Sequence, residues 1–224
     1  MVSVFIRNAD WVVTVDKDRR IIKDGSIVIE KDRILDVGKT SDLEKRYVAE
    51  KTIDARHKLV LPGLVEGHIH NDAHLGRGIA DDCDLEEFGK RFYMLTGGVT
   101  KEDVYWSSML CQLEMIKEGA TCFIDAGGHF PDEIAEVTGQ SGLRGIVSPA
   151  MFDIGEAVLA PKMALPKAFV ESANDAVGRA EKVIRKWNGS FEGRVRAWPS
   201  IRMAVLCSDE LCLKAKELAD KHGV

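Results

Sequence analysis

The first 58 residues alternate between apolar and polar positions in the way that is typical of short β-strands, whose successive side chains point to opposite faces. Val2, Val4 and Ile6 show this most clearly, and turn residues separate the later runs. The predicted strands lie at 2–6, 11–15, 26–32 and 34–37, and residues 41–50 are predicted to form a brief helical connector. Residues 1–58 are therefore expected to form a small lobe of the β-sandwich type.

From Leu59 onward the pattern changes to strands that alternate with amphipathic helices. One helix is predicted to bury Val104, Ser108, Leu110, Met115 and Ile116. The predicted strands are 59–70, 121–128, 143–152 and 195–201, and the predicted helices are 101–118, 133–141, 167–188 and 209–222, the last capped by Ser208. Four strand-helix units in succession predict an α/β domain over 59–224 with a parallel sheet, where a closed (β/α)₈ barrel needs eight.

Composition excludes several classes of protein. The chain has 224 residues, 45% hydrophobic and 30% charged, with a net charge of −5 and no Lys/Arg block, so neither nucleic acid nor an acidic membrane surface is expected as a partner. No apolar run is long enough to span a bilayer, and the first residues read as a strand rather than a signal peptide. The five cysteines are scattered, which favours reduced thiols and a cytoplasmic location.

His68 and His70 carry the strongest chemical signal. They stand two positions apart at the end of a strand that contains a Pro62–Gly63 break, so their imidazoles project to the same side. Two converging imidazoles suit a divalent transition metal. The alternative is that both rings pack in the fold with their second nitrogens bonded to backbone, but Asn71, Asp72 and His74 follow closely, and this density of polar groups favours a metal site.

Several segments resemble the deaminase and chlorohydrolase branch of the amidohydrolase superfamily, which includes cytosine deaminase, S-adenosylhomocysteine deaminase and triazine hydrolase. The similar segments are residues 4–38, DARHKLVLPGLVEGHIH (54–70), RGIADDCDLEEF (77–88), KEDVYWSSMLCQLEMIKEGATCFID (101–125) and CSDELCLKAKELADKHGV (207–224). Because they occur in the family's order, the resemblance implies the first half of a metal-dependent (β/α)₈ barrel that follows the N-terminal lobe.

The resemblance also implies a function. His68 and His70 would be two ligands of one zinc or iron ion, and hydrolysis would remove an amino or chloro group from a nitrogen heterocycle. The family takes its other ligands and its acid-base residues from later strands, so the catalytic residues of this chain are unknown. The segment 198–208 lacks the His and Tyr that many relatives place there, which does not favour nucleoside-like substrates.

The chain stops before the segment that would supply a third histidine ligand. Catalytic zinc normally has at least three protein ligands, so the isolated chain is expected to be inactive and to need a polypeptide that carries the C-terminal half, or self-association. The alternative is a half-barrel remnant that binds or oligomerises without catalysis.

Four further side chains are weaker candidates. Asp125 ends a predicted strand and is expected to orient a ligand or anchor a loop rather than to catalyse, and His129 follows in the next loop, facing the site or solvated. His74 is a candidate for substrate binding, with a hydrogen-bonded loop residue as the alternative. Arg144 could bind an anionic or carbonyl group of the substrate, with a salt bridge at the barrel rim as the alternative. His222 is expected at a helix end rather than on metal.

Overall fold

Residues 1–63 form one compact unit of the chain in a computed structural model that describes residues 1–155 and 165–224. The unit contains strands β1 (Val2–Val13), β2 (Ile21–Glu30), β3 (Arg33–Lys39), β4 (Ala49–Asp54) and β5 (Leu59–Val60), with a single helical turn, α1 (Thr40–Leu43). These strands form one sheet in the order β3-β2-β1-β4, and β5 also pairs with β1. Its main core consists of Val2, Phe5, Val28 and Leu43.

The lobe differs from the sequence prediction in three ways. The first two predicted strands are one continuous strand, β1, and the connector is only the turn α1. The strand β4 was missed, because its residues after Ala49 are exposed and show no apolar alternation. It forms because β1 offers its second edge for parallel pairing, from Val2 opposite Ala49 to Arg7 opposite Asp54. A second layer of a sandwich stays a prediction, since these strands make a single sheet.

Residues 64–224 form the second compact unit. The predicted domain boundary at 58/59 stays a prediction. The main strands of this unit are β6 (Leu64–Ile69), β7 (Ala120–Asp125), β8 (Arg144–Val147) and β10 (Val195–Ala197), and the short strands β9 (Ala150–Met151) and β11 (Ser200–Ile201) pair with each other. The main sheet has the order β10-β8-β7-β6, with parallel pairing throughout. The predicted succession of parallel strands in chain order is confirmed.

Helices connect these strands. They are α2 (Leu85–Thr96), α3 (Lys101–Lys117), α4 (Pro131–Ser141), α5 (Ala173–Trp187), the short α6 (Ser190–Gly193) and α7 (Asp209–His222). Short 3₁₀ helices lie at Asn71–Gly76, Lys167–Phe169 and Ala204–Leu206. The side chains of Asp84, Thr100, Ser172 and Ser208 each accept a backbone N–H in the first turn of a helix. Ser172 explains why α5 begins at Ala173 and not at the predicted residue 167.

The predicted buried face of α3 was partly wrong. Val104, Ser108 and Met115 are buried as expected, but Ile116 is 44% exposed and Gln112 is fully buried. The helix α2 had not been predicted at all. Within the described part of the chain, no helix is long and apolar enough to cross a membrane.

The core of the second unit lies between the parallel sheet and its helices. Phe123 of β7 is fully buried, and a Cβ atom at Gly145 of the neighbouring strand would lie only 2.5 Å from its Cζ atom. Such a distance is not tolerated, so the Phe123 ring fills the space that the missing side chain leaves. Phe123 and Gly145 lie opposite each other in the register of β7 and β8, and the parallel pairing of these strands brings their carboxyl ends to one edge.

We expect Phe123→Ala to lower the free energy of unfolding by about 3–5 kcal/mol, because it leaves a cavity against Gly145. The measurement is urea denaturation followed by circular dichroism. The matched control is Leu213→Ala on α7, where the side chain is 67% exposed and the expected change is within about 0.5 kcal/mol. Equal losses in the two variants would contradict this account of the core.

Candidate functional site

His68 and His70 lie together at the carboxyl end of β6. Their ring centroids are 5.1 Å apart and the ring planes are nearly perpendicular, as expected for side chains that project from the same side of one strand. His68 is exposed, and its backbone N–H donates to Glu66 Oε1 at 3.2 Å. The sequence prediction that these two imidazoles converge agrees with this geometry.

His70 is the more buried of the two rings. It packs against Phe92 of α2 with a centroid distance of 5.4 Å, and its Nδ1 atom is buried without a hydrogen-bond partner among the described residues. Burial lowers the pKa of His70 to about 3, and the positive charge of Arg202 acts in the same direction. The ring is therefore neutral at pH 7, which is the form that binds a metal ion.

Asp125 ties the residue after His70 to the neighbouring strand. Its Oδ2 atom accepts the backbone N–H of Asn71 at 3.0 Å and the side-chain amide of Asn71 at 2.8 Å. Asp125 is fully buried, and its Oδ1 atom has no partner in the part of the chain that the structure describes. Burial, together with the nearby charge of Asp72, raises the pKa of Asp125 to about 7.

A buried polar network on α3 and α4 holds Asn71 in turn. Ser107 donates its hydroxyl to the Asn71 carbonyl at 2.6 Å, and Gln112 Nε2 donates to Asn71 Oδ1 at 3.3 Å. The same Gln112 nitrogen also donates to Thr138 Oγ1 at 3.1 Å, and Gln112 Oε1 accepts the hydroxyl of Ser141 at 2.8 Å. The position of the chain just after His70 is thus fixed by two helices as well as by β7.

Asp72 and Arg202 form a second buried pair beside the histidines. Asp72 Oδ2 accepts the backbone N–H of His129 at 2.8 Å, and Arg202 Nη1 lies 4.0 Å from the same oxygen. The Arg202 guanidinium lies over the ring of Phe92, 5.0 Å from its centroid. Burial raises the pKa of Asp72, and the positive charge of Arg202 opposes that effect.

This edge of the sheet therefore collects two histidines, two carboxyl groups and one guanidinium around the end of β6. A model of the amidohydrolase family matches residues 59–224. The chain belongs to the amidohydrolase family. The resemblance inferred from the sequence is confirmed.

Curated relatives of the amidohydrolase chain include nucleoside deaminases. The chain is 34% identical over 224 residues to the 5'-deoxyadenosine deaminase of Methanosarcina mazei, and the match covers 100% of this chain and 48% of that protein. It is 31% identical over 223 residues to the 5-methylthioadenosine/S-adenosylhomocysteine deaminase of Desulforamulus reducens, covering 99% of this chain and 48% of the relative. The chain thus spans about half the length of the curated relatives it matches.

Solved structures show the same fold. The chain superposes on the atrazine chlorohydrolase of Arthrobacter aurescens, solved in complex with zinc, with a TM-score of 0.85 and 22% identity, covering 99% of this chain and 51% of that one. An adenosine deaminase of Xanthomonas campestris with bound zinc gives a TM-score of 0.82 and 22% identity, covering 100% of this chain and 48% of the other.

The donor set of this amidohydrolase chain fits part of a metal site. His68 and His70 offer imidazole nitrogens, which suit zinc and iron, and the Nδ1 atom of His70 has no competing hydrogen bond among the described residues. However, the described residues contain no group of three His, Cys, Asp or Glu side chains that could hold a metal ion. Two candidate ligands are therefore present where a catalytic zinc normally has three or more.

The other predicted candidates lie in different places. His74 Nε2 is 2.8 Å from Glu114 Oε2, which corresponds to the hydrogen-bonded loop alternative. Arg144 begins β8 opposite Cys122 and is exposed at the amino end of the sheet, away from the carboxyl edge, which argues against substrate binding. His222 Nε2 is 3.0 Å from Glu181 Oε1 at the end of α7. His129 is partly buried and stacks on Phe169 with a centroid distance of 4.0 Å.

Sequence reasoning missed the partners that fix this edge. Gln112 and Thr138 are polar residues on helices, and nothing in the pattern separates them from solvent-facing positions. Phe92 belongs to the helix that was not predicted. Arg202 was not a predicted site residue, because the segment around it was interpreted only through the histidine and tyrosine that it lacks. An arginine directly after a strand is itself a sign of polar chemistry at the carboxyl edge.

We expect Gln112→Leu to destabilise the fold by about 2 kcal/mol or more, because it leaves the buried Asn71 Oδ1 atom without its donor and removes one hydrogen bond each from Thr138 and Ser141. Urea denaturation measures the effect. The control is Gln140→Leu on α4, where the side chain is exposed and the expected change is within about 0.5 kcal/mol. A neutral Gln112→Leu variant would show that the network does not brace the site.

Proposed function

We propose that His68 and His70 bind one divalent metal ion, zinc or iron, in an enzyme that hydrolyses C–N bonds other than peptide bonds by deaminating a nitrogen heterocycle. The observation that carries the proposal is the pair of neighbouring rings at the carboxyl end of β6, one of them neutral and with an Nδ1 atom that has no hydrogen-bond partner among the described residues. The carboxyl ends of the strands are where parallel α/β barrels place their catalytic groups.

The proposed roles follow from the contacts. His68 and His70 supply nitrogen ligands, and Asp125 holds Asn71 so that the end of β6 keeps both rings in position. A bound divalent ion supplies Lewis-acid activation of water at neutral pH. In the overall reaction a C–O bond forms at the ring carbon, the C–N bond to the amino group breaks, and ammonia leaves while the ring gains an oxo group.

The remaining parts of the site are proposed to come from outside these 224 residues. In this proposal the four parallel strands in chain order are the first half of a (β/α)₈ barrel. A second polypeptide segment or another copy of the chain supplies the further metal ligands and the proton-transferring group. The coverage of about half of each relative supports this reading. The names of the relatives favour deamination over a non-catalytic remnant.

We expect the full-length gene product to contain about one zinc or iron ion per chain, and the variants His68→Ala and His70→Ala to lose most of it, by roughly tenfold or more in affinity. Metal analysis after dialysis measures the content, and ammonia release from aminated heterocycles should fall in parallel. The control is His57→Ala, since the side chain of His57 is 93% exposed in the N-terminal unit. Unchanged metal content in folded His70→Ala would refute the proposal.

A further inference from the structure

A cavity of about 640 Å³ lies within the second unit, between the segment that precedes α3, the start of α4 and one face of α5. Its wall includes neither His68 nor His70. Most of the wall is apolar, with side chains such as Val99, Phe169 and Val183. Cavities of this size that combine apolar walls with a few polar groups are typical binding sites for small molecules.

Three cations on α5 line this cavity, and only the middle one lacks a partner. Arg179, Lys182 and Lys186 are spaced by three and four residues, so they share one face of the helix. Arg179 Nε donates to Glu171 Oε1 at 2.9 Å, and Lys186 Nζ lies 3.1 Å from Asp132 Oδ2. Lys182 is exposed and has no hydrogen bond or ion pair with any described residue. Its ammonium group is therefore available to a ligand.

The charges around the cavity leave an excess of one positive charge. The wall carries four cations, Lys101 of α3 and the three on α5, and three carboxyl groups, those of Asp132, Glu133 and Glu171. The whole chain has a net charge of −5, so the local sign is opposite to that of the protein. An apolar molecule that carries one negative charge complements a cavity of this kind.

Two rings in the wall offer a flat apolar surface. His129 and Phe169 stack with a centroid distance of 4.0 Å and an angle of 26° between their planes, and both line the cavity. Burial lowers the pKa of His129 to about 3, and the positive charge of Arg202 acts in the same direction. The imidazole is therefore neutral at pH 7 and leaves the charge balance of the wall unchanged. A flat aromatic ligand suits this surface better than a bulky aliphatic one.

We propose that this cavity binds a small aromatic carboxylate, whose ring lies against Phe169 and Val183 and whose carboxylate accepts hydrogen bonds from Lys182. The ring buries apolar surface, and the lysine ammonium offers three donors to the carboxylate. A neutral aromatic molecule lacks the ion pair, and a small anion lacks the apolar contact, so tight binding needs both parts. The inference goes beyond the proposed function and does not depend on it, because neither proposed metal ligand takes part.

The test compares three probes that separate the two parts. They are 2-naphthoate, which has both the ring and the charge, 2-naphthalenemethanol, which has only the ring, and acetate, which has only the charge. Isothermal titration calorimetry with the full-length gene product at pH 7 measures their affinities. We expect 2-naphthoate to bind about tenfold or more tightly than either of the other probes.

Variants assign the binding to this cavity. Lys182→Gln removes the charge of an exposed side chain, so it should weaken 2-naphthoate binding by about fivefold or more and leave 2-naphthalenemethanol unaffected. Lys182→Arg should retain most of the affinity because it keeps the charge. The matched control is Lys216→Gln on α7, where the side chain is 71% exposed and outside the cavity wall. His70→Ala should bind 2-naphthoate as the unmodified protein does.

Three results would overturn the inference. The first is equal affinity for the three probes or no binding of 2-naphthoate, and the second is an unchanged affinity in folded Lys182→Gln. The third is loss of 2-naphthoate binding in folded His70→Ala, which would place the probe at the histidine pair. Metal content plays no part in these measurements, so their failure leaves the proposed function standing, and failure of the metal site leaves this inference standing.

Discussion

The arrangement at the carboxyl edge depends on one pair of hydrogen bonds, those that Asn71 donates to Asp125. They join the residue after His70 on the first strand of the sheet to the last residue of the second strand. Since β6 ends at Ile69, the ladder itself no longer holds the chain at this point, and the carboxylate takes over that role. The Asp125 carboxylate therefore fixes the chain just beyond the two histidines.

The two hydrogen bonds between Asn71 and Asp125 lie in a buried region, where an ionised group costs free energy because it is removed from water. Asp72 and Asp125 are both nearly or fully buried, and burial favours their neutral forms, while the single guanidinium of Arg202 favours ionisation of both. Partnerless atoms remain on His70, Asp72, Asp125 and Arg202 within the described residues. A well-satisfied structural network would not keep so many open positions together, so the polar groups at this edge reduce the stability of the fold.

The sequence predicted what short-range patterns determine. Local periodicity predicts the alternation of strands and helices and the two imidazoles on one face, and the residue type of Ser208 predicts the helix cap. All three agree with the structure. The hydrogen-bond network around Asn71 could not be predicted from the sequence. The apolar pattern of α3 favoured Ile116 for burial, and it is the packing of α3 on α4 that buries Gln112 instead. The strand β4 was missed for the same reason, since its pairing with β1 and not its own residues makes it a strand.

The network through Gln112 has a direction. Since Asn71 Nδ2 donates to a carboxyl group, Asn71 Oδ1 must accept from Gln112 Nε2, and Gln112 Oε1 must then accept from Ser141. Only one orientation of each amide satisfies every partner. An acid in place of either amide, although nearly identical in shape, would present oxygen where a donor is required. Deamidation of Asn71 to aspartate would thus replace the amide donor by a second buried carboxyl group beside Asp125, and only the backbone N–H of residue 71 would still hold the two strand ends together unless one carboxyl group stayed protonated.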